Sequence, residues 1–524
     1  MKKNLRTLTN LVTAGSLLLS VVACGMSSNP YQYRMPSYTL NPATSFNAFN
    51  LADKLNIMDM SNGTATVQPF SSELVLVSAM GNGDKTSSLS LTATGENKTG
   101  VQAQSMMFNK NSVQAQAEFK PTQFESWLQS KRDEAANSLR MGYTAKRLVF
   151  KKKAMALGDK ETFWIQDLRN GMNNPKDLQQ TFVLKKVTPH GYFMVDESDM
   201  AGITLNGKTF HISDANIDKM AQYWEKVAYP TNAKYFGGVS PVSIDSDEHF
   251  YFFLSSKLGT QVLGYFSPMD LIGKPTSNNH KILYINDLFA TEELGAKYAG
   301  TIESTIIHEF QHFLNFDHKV FQPAVQGNQN DIVMEELWLN EALSTLSEQL
   351  GGYGLPASEI NSVGMVKSFL EDHPNAPLVT KTYQKFEYGQ AYLFALYLFE
   401  QFGGEKLTTA LINSKLGGIK NVEAATGQAF AKTFTNWGLT LCFDDLTSIP
   451  QYNYKTISLN GTYLNNKFNG LKYTEVNSYP YNFNNTVDNW SFAAFKFNGG
   501  DGSSKLSLKM KTNGKLLATG IEGK

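Results

Sequence analysis

Apolar and polar positions change period along this chain. Ser71 to Ala79 and Ser87 to Thr94 read as strands, as do Thr162 to Ile165 and Tyr192 to Val195. Pro121 to Arg140 and Ser213 to Val227 carry helical spacing, the second with Ser213 or Asp214 as its cap. Short apolar runs at Phe250 to Leu254, Gly264 to Phe266 and Ile282 to Ile285 predict buried strands. Helical periods then dominate: about 298–316, 332–350, 388–402 and 406–414. From about Tyr454 the pattern loses its helical period and predicts a β-sandwich-like end. Strands before helices around one cleft predict an α+β unit.

The first residues differ from all of this. Lys2, Lys3 and Arg6 precede an apolar stretch from Leu8 to Val22, too short and interrupted for a membrane span, which reads as an export signal. It ends in Val21-Val22-Ala23-Cys24, similar to the bacterial lipobox. That likeness implies an acylated Cys24 holding an exported chain on the membrane of the bacterial envelope. The organisation expected is a signal at 1–23, a tether and small β-rich region at 24–118, and the sheet-containing part of the central unit at 119–297. Its helical part follows at 298–448, and a β-rich region at 449–524.

With 524 residues, several cores are expected. Lysine and arginine total 47, as do aspartate and glutamate, so no basic excess exists to meet phosphates, and a nucleic-acid partner is not expected. Cys442 is the one cysteine besides Cys24, which rules out an internal disulfide framework. Its apolar neighbours point to packing.

The chemistry centres on His308-Glu309-Phe310-Gln311-His312. Two histidines four apart share one helix face and can grip one metal, with Glu309 beside them to take a proton from water. Taken alone, the pentapeptide fits a chance match on an amphipathic helix equally well. A catalytic zinc needs a third protein ligand and an open position. His318, in His-Glu-x-x-His-x-x-Asn-x-x-His, approximates the metzincin motif, with Asn315 where a glycine turn is usual and neither Met334 nor Met365 in a Met-turn. Glu341 is the other choice, with 28 residues between it and His312, in Trp338-Leu339-Asn340-Glu341-Ala342-Leu343-Ser344.

That heptapeptide resembles the third-ligand helix of gluzincins, especially the aminopeptidase N family. Glu348 also fits the pattern, and Gly351-Gly352 closes the helix. The region from about 180 to 440 is closer still to the hyicolysin family of bacterial zinc metallopeptidases, most firmly over 282–404. The spacing to Glu341 exceeds that of the aminopeptidases by about ten residues, filled by Pro323 to Asn330. The resemblance implies one zinc ion on His308, His312 and Glu341, with Glu309 as catalytic base. It further implies Tyr388, at the head of Tyr388-Gly389-Gln390-Ala391, as hydrogen-bond donor to the oxyanion. Tyr383 is its runner-up, and core packing is an equal alternative for both. The expected substrate is a polypeptide added as a strand to a sheet edge near 264–266 or 282–285. No Gly-x-Met-Glu-Asn segment stands upstream to capture a free amine, which favours an endopeptidase. Two other classes compete: a surface-binding lipoprotein on a retired protease scaffold, and a structural zinc protein, which would want a closed four-ligand site.

Overall fold

The computed structural model describes residues 55–522 apart from 60–63, 71, 81–86, 96–122, 143–154, 170–174, 241–243, 246, 296–297, 299, 382, 445–451, 500–503 and 513–514. Cys24, the signal at 1–23 and the tether therefore lie outside the described residues. The architecture is α+β, and the chain divides into two compact units. One gathers the described residues within 123–364 and 401–426, the other those within 55–95, 365–400 and 427–522. Among the described residues no helix is long and apolar enough to cross a membrane.

The first unit is built on a mixed six-stranded sheet. Its strands are β1 (Lys160–Asp167), β2 (Lys176–Thr188), β3 (Gly191–Asp196), β4 (Phe250–Leu254), β5 (Gly264–Phe266) and β6 (Ile282–Ile285). Their spatial order is β5-β6-β4-β3-β2-β1. β4 runs parallel to both β3 and β6, whereas β5 is antiparallel to β6 and ends the sheet. Every residue of β3, β4, β5 and β6 is buried, as covering both faces of a central sheet requires. The pleat sorts the aromatics. Tyr251 and Phe253 join Phe163 and Tyr284 on one face, while Phe250 meets Phe310 and Phe313 of the helix on the other, at 5.2 and 4.8 Å between ring centroids. Each such ring contributes roughly 1.5–3 kcal/mol by leaving water.

Helix α1 (Gln123–Arg140) packs Phe124 and Trp127 against Tyr265 of β5, with ring centroids 6.1 and 5.7 Å away. Helix α2 (Asp214–Tyr223) begins at Ser213, whose hydroxyl caps the Asn216 N–H. It runs through a π turn into α3 (Tyr229–Phe236). Helices α4 (Thr301–Phe316) and α5 (Leu337–Leu350) carry the chemistry. Helix α4 starts at Gly300, whose φ of 91° is left-handed, and a Cβ there would stand 2.8 Å from the Tyr353 ring. Glu303 closes the first turn by accepting the Gly300 N–H at 3.1 Å. Helix α5 ends before Gly351-Gly352, the second with φ 94°.

The second unit joins strands from both ends of the described chain. One sheet is ordered Leu55–Asp59, Lys515–Glu522, Ser72–Met80, Phe492–Asn498, Thr474–Val476. The other is ordered Tyr481–Val487, Ser87–Gly95, Ser504–Thr512, Thr64–Phe70. Leu89, Leu91 and Ala93 point inward to Phe495, Phe497, Leu506 and Leu508, while Ser90 and Thr92 bond outward to Asn484 and Asn482. The two β-rich regions read separately from the sequence thus share their sheets. Helices α6 (Lys385–Gln401) and α7 (Phe430–Phe443) belong to this unit, with Trp437 5.1 Å from Phe394 and 5.5 Å from Phe492. Cys442 is a free, half-buried thiol on α7, and burial pushes its pKa up to about 12, so it stays protonated at neutral pH.

Candidate metal centre

Helix α4 lays its apolar side on the sheet and turns His308 and His312 toward α5. Polar side chains lock the two helices together. Asn315 donates to Asn340 Oδ1 at 2.9 Å, and the Ser347 hydroxyl donates to the Ile307 carbonyl at 3.1 Å. This brings Glu341, on the second turn of α5, against both imidazoles. His308 Nε2 and His312 Nε2 are 3.1 Å apart, and Glu341 Oε2 lies 3.3 and 3.4 Å from them. A tetrahedral ion with bonds of about 2.0–2.1 Å separates its ligand atoms by about 3.3–3.4 Å. The triangle has the size of one zinc site. Among the described residues it is the one group of three or more His, Cys, Asp or Glu side chains with this capacity.

The outer contacts orient the rings. Glu348 Oε1 is 2.7 Å from His308 Nδ1 and accepts its proton. Ser344 spends its own hydroxyl proton on Gln311 Oε1 at 2.5 Å, so it accepts from His312 Nδ1 at 3.0 Å. Both Nδ1 atoms being donors, both Nε2 lone pairs converge on Glu341 Oε2, a buried oxygen without a hydrogen bond. Three electron-rich atoms facing one another fit a cation. Without one, burial disfavours charge on His308, but Glu341 and Glu348 outweigh it and hold the imidazole well above its ordinary pKa. Burial likewise opposes ionisation of Glu341, and the two imidazoles overcome it, leaving the carboxyl below its usual range.

Glu309 is buried one residue along α4, and its Oε2 accepts the backbone N–H of Phe266 at 2.9 Å. Phe266 ends β5, so the strand at the edge of the sheet is the one beside this carboxylate. His318 goes elsewhere. Helix α4 does not turn at Asn315 but continues into a π turn over Asp317–Phe321, which carries His318 away from the triangle. Its Nδ1 bonds Asn413 Oδ1 at 3.1 Å and its Nε2 the Gly238 carbonyl at 2.9 Å. Tyr388 lies at the start of α6 in the other unit, its ring edge-on to Tyr383 at 4.7 Å.

Four participants escape a motif search. The Phe266 amide acts through the backbone, and Ser344 and Gln311 sit inside the motifs without a role that spacing assigns. Arg132 of α1 is the fourth, with Nη1 3.7 Å from Glu341 Oε1 and both side chains buried.

Comparison with known proteins adds one relative. The neutral metalloprotease ShpI of Staphylococcus hyicus is 26% identical over 139 residues, a stretch covering 26% of this chain and 28% of that protein. No family model matches the chain. The likeness supports a metallopeptidase relationship, and with the His308, His312 and Glu341 cluster it supports a metal ion, of which zinc is the typical kind for such a ligand set.

Proposed function

We propose that the chain is a zinc metalloendopeptidase of hyicolysin type, hydrolysing peptide bonds of extracellular or envelope proteins. We place it on the outside of a bacterial membrane, exported and anchored through acylated Cys24. The observation that carries the catalytic reading is the convergence of His308 Nε2, His312 Nε2 and Glu341 Oε2 within 3.1–3.4 Å beside the carboxylate of Glu309. Those three residues would hold the ion. Bound there, zinc supplies Lewis acidity that brings the pKa of water toward neutrality and polarises a carbonyl.

The remaining work falls to the protein's own groups. Glu309 Oε2 is engaged by the Phe266 N–H, which leaves Oε1 to take the water proton and pass it to the departing amine. A substrate added as a strand beside β5, the last strand of the sheet, would run past that carboxylate, held by main-chain hydrogen bonds. Likeness to the gluzincins is what supports giving Tyr388 the oxyanion, as a neutral phenol donating to developing negative charge.

Purified full-length protein should contain one zinc per chain and hydrolyse casein. 1,10-Phenanthroline should abolish the cleavage, and added zinc restore it. Zinc bound without hydrolysis of any protein substrate would favour the surface-binding alternative, and a chain that takes up no metal would sink the enzyme reading.

A further inference from the structure

Arg132 is the cation of this centre that no motif announces. It retains 5% of its surface, and among the described residues its Nη1 has no hydrogen-bond partner, the nearest carboxylate oxygen being Glu341 Oε1. The two oxygens of Glu341 are thereby divided. Oε1 faces the guanidinium, and Oε2 faces both imidazoles. Arg132 is also held where it is. Ala135, Ala136 and Leu139, on the following turns of α1, are wholly buried, Leu128 lies in the sheet's core cluster, and Glu134 pairs with Lys274.

Charge accounting points the same way. Glu309, Glu341 and Glu348 place three buried carboxylates around two imidazoles whose Nδ1 protons are already committed. A dication alone leaves this cluster one negative charge in excess, and uncompensated buried charge is costly. Arg132 supplies the missing positive charge. Its fork also fits a carboxylate better than a lysine ammonium does.

We propose that Arg132 is a positioning residue that occupies Glu341 Oε1, restricts Glu341 to a single ligating oxygen, Oε2, and completes the charge balance of the metal-loaded centre. The inference rests on the zinc reading above. It makes α1 a permanent part of the catalytic unit, not a cover removed on activation.

Cobalt(II)-substituted full-length protein reads this directly, because visible d–d bands weaken when a four-coordinate site gains a fifth ligand. Parent protein should give the stronger, four-coordinate spectrum. Arg132→Met should weaken the bands as Glu341 swings to two-oxygen binding, and zinc-loaded kcat should fall roughly 10–100-fold with little change in KM. Arg132→Lys should recover part of both. Arg132→Gln, whose polar but uncharged amide stops two atoms short of the guanidinium nitrogens, replaces the Met variant if that does not fold, and should show the same spectral change. Unchanged spectrum and kcat in the neutral variants would overturn the proposal. So would a rise in kcat, which would mean that α1 obstructs the cleft. If the parent binds neither cobalt nor zinc, the metal reading itself has failed, and Arg132 is not the cause.

Discussion

Phe266 donates its backbone N–H to Glu309 Oε2 at 2.9 Å, so the last residue of an edge strand fixes the carboxylate beside the metal triangle. The geometry assigns the two oxygens of Glu309 different duties, one for orientation and one for protons.

Glu309→Gln keeps the hydrogen bond to Phe266 through its amide oxygen and loses only basicity. Zinc content should stay at the parental level while casein hydrolysis drops by roughly 10²–10⁴. Metal analysis and an activity assay on the same preparation check this, and parental cleavage rates would remove Glu309 from the base role.

Glu341→Ala and His318→Ala should part company. The first removes the oxygen lying 3.3 and 3.4 Å from the two Nε2 atoms and should abolish stable zinc binding. The second breaks bonds to Asn413 and Gly238 only and should leave zinc in place. Zinc content after gel filtration separates them.

Glu348→Gln tests the outer contact to His308 Nδ1. An amide can still meet the ring but no longer offers a charge, so zinc affinity should fall roughly 10–100-fold. Competition with a chelator of known affinity measures it.

Asp270 predicts a pH effect on stability away from the metal. Burial raises its pKa to about 7, against hydrogen bonds from Tyr284 and Asn278 that act to lower it. The unfolded carboxyl ionises near pH 4, so the folded state holds an extra proton between about pH 4 and 7. Stability therefore falls as pH rises through that window and levels off above it. Asp270→Asn should gain on the parent by on the order of 3 kcal/mol between pH 4 and pH 8. Urea unfolding at the two pH values reads the difference, and an equal gap at both would discount the buried carboxyl.

Strands β4, β5 and β6 were legible to the residue because a short, wholly apolar run has little choice but a sheet covered on both faces. The helix carrying His308 was equally plain, and the Gly351-Gly352 stop lies where the pattern puts it. The geometry of Glu341 was readable only through likeness to other proteins, since spacing left His318 open, and what separates the two is the helix running straight through Asn315. Helical periodicity placed α1, yet nothing local tells that Arg132 would find Glu341, because side-chain pairing across long separations leaves no periodic trace. Partners in a β-sheet are hidden for the same reason. The segments near either end read as β-rich without showing that they belong together.

That shared construction has a kinetic side. Val75 pairs with Phe495 and Leu76 with Thr519, so the early strands cannot be paired until nearly the whole polypeptide has left the ribosome. In the interval their bare backbones invite the wrong neighbours. The metal-bearing unit, encoded between them, can assemble meanwhile, and closing the sandwich is left as the slow final act of maturation.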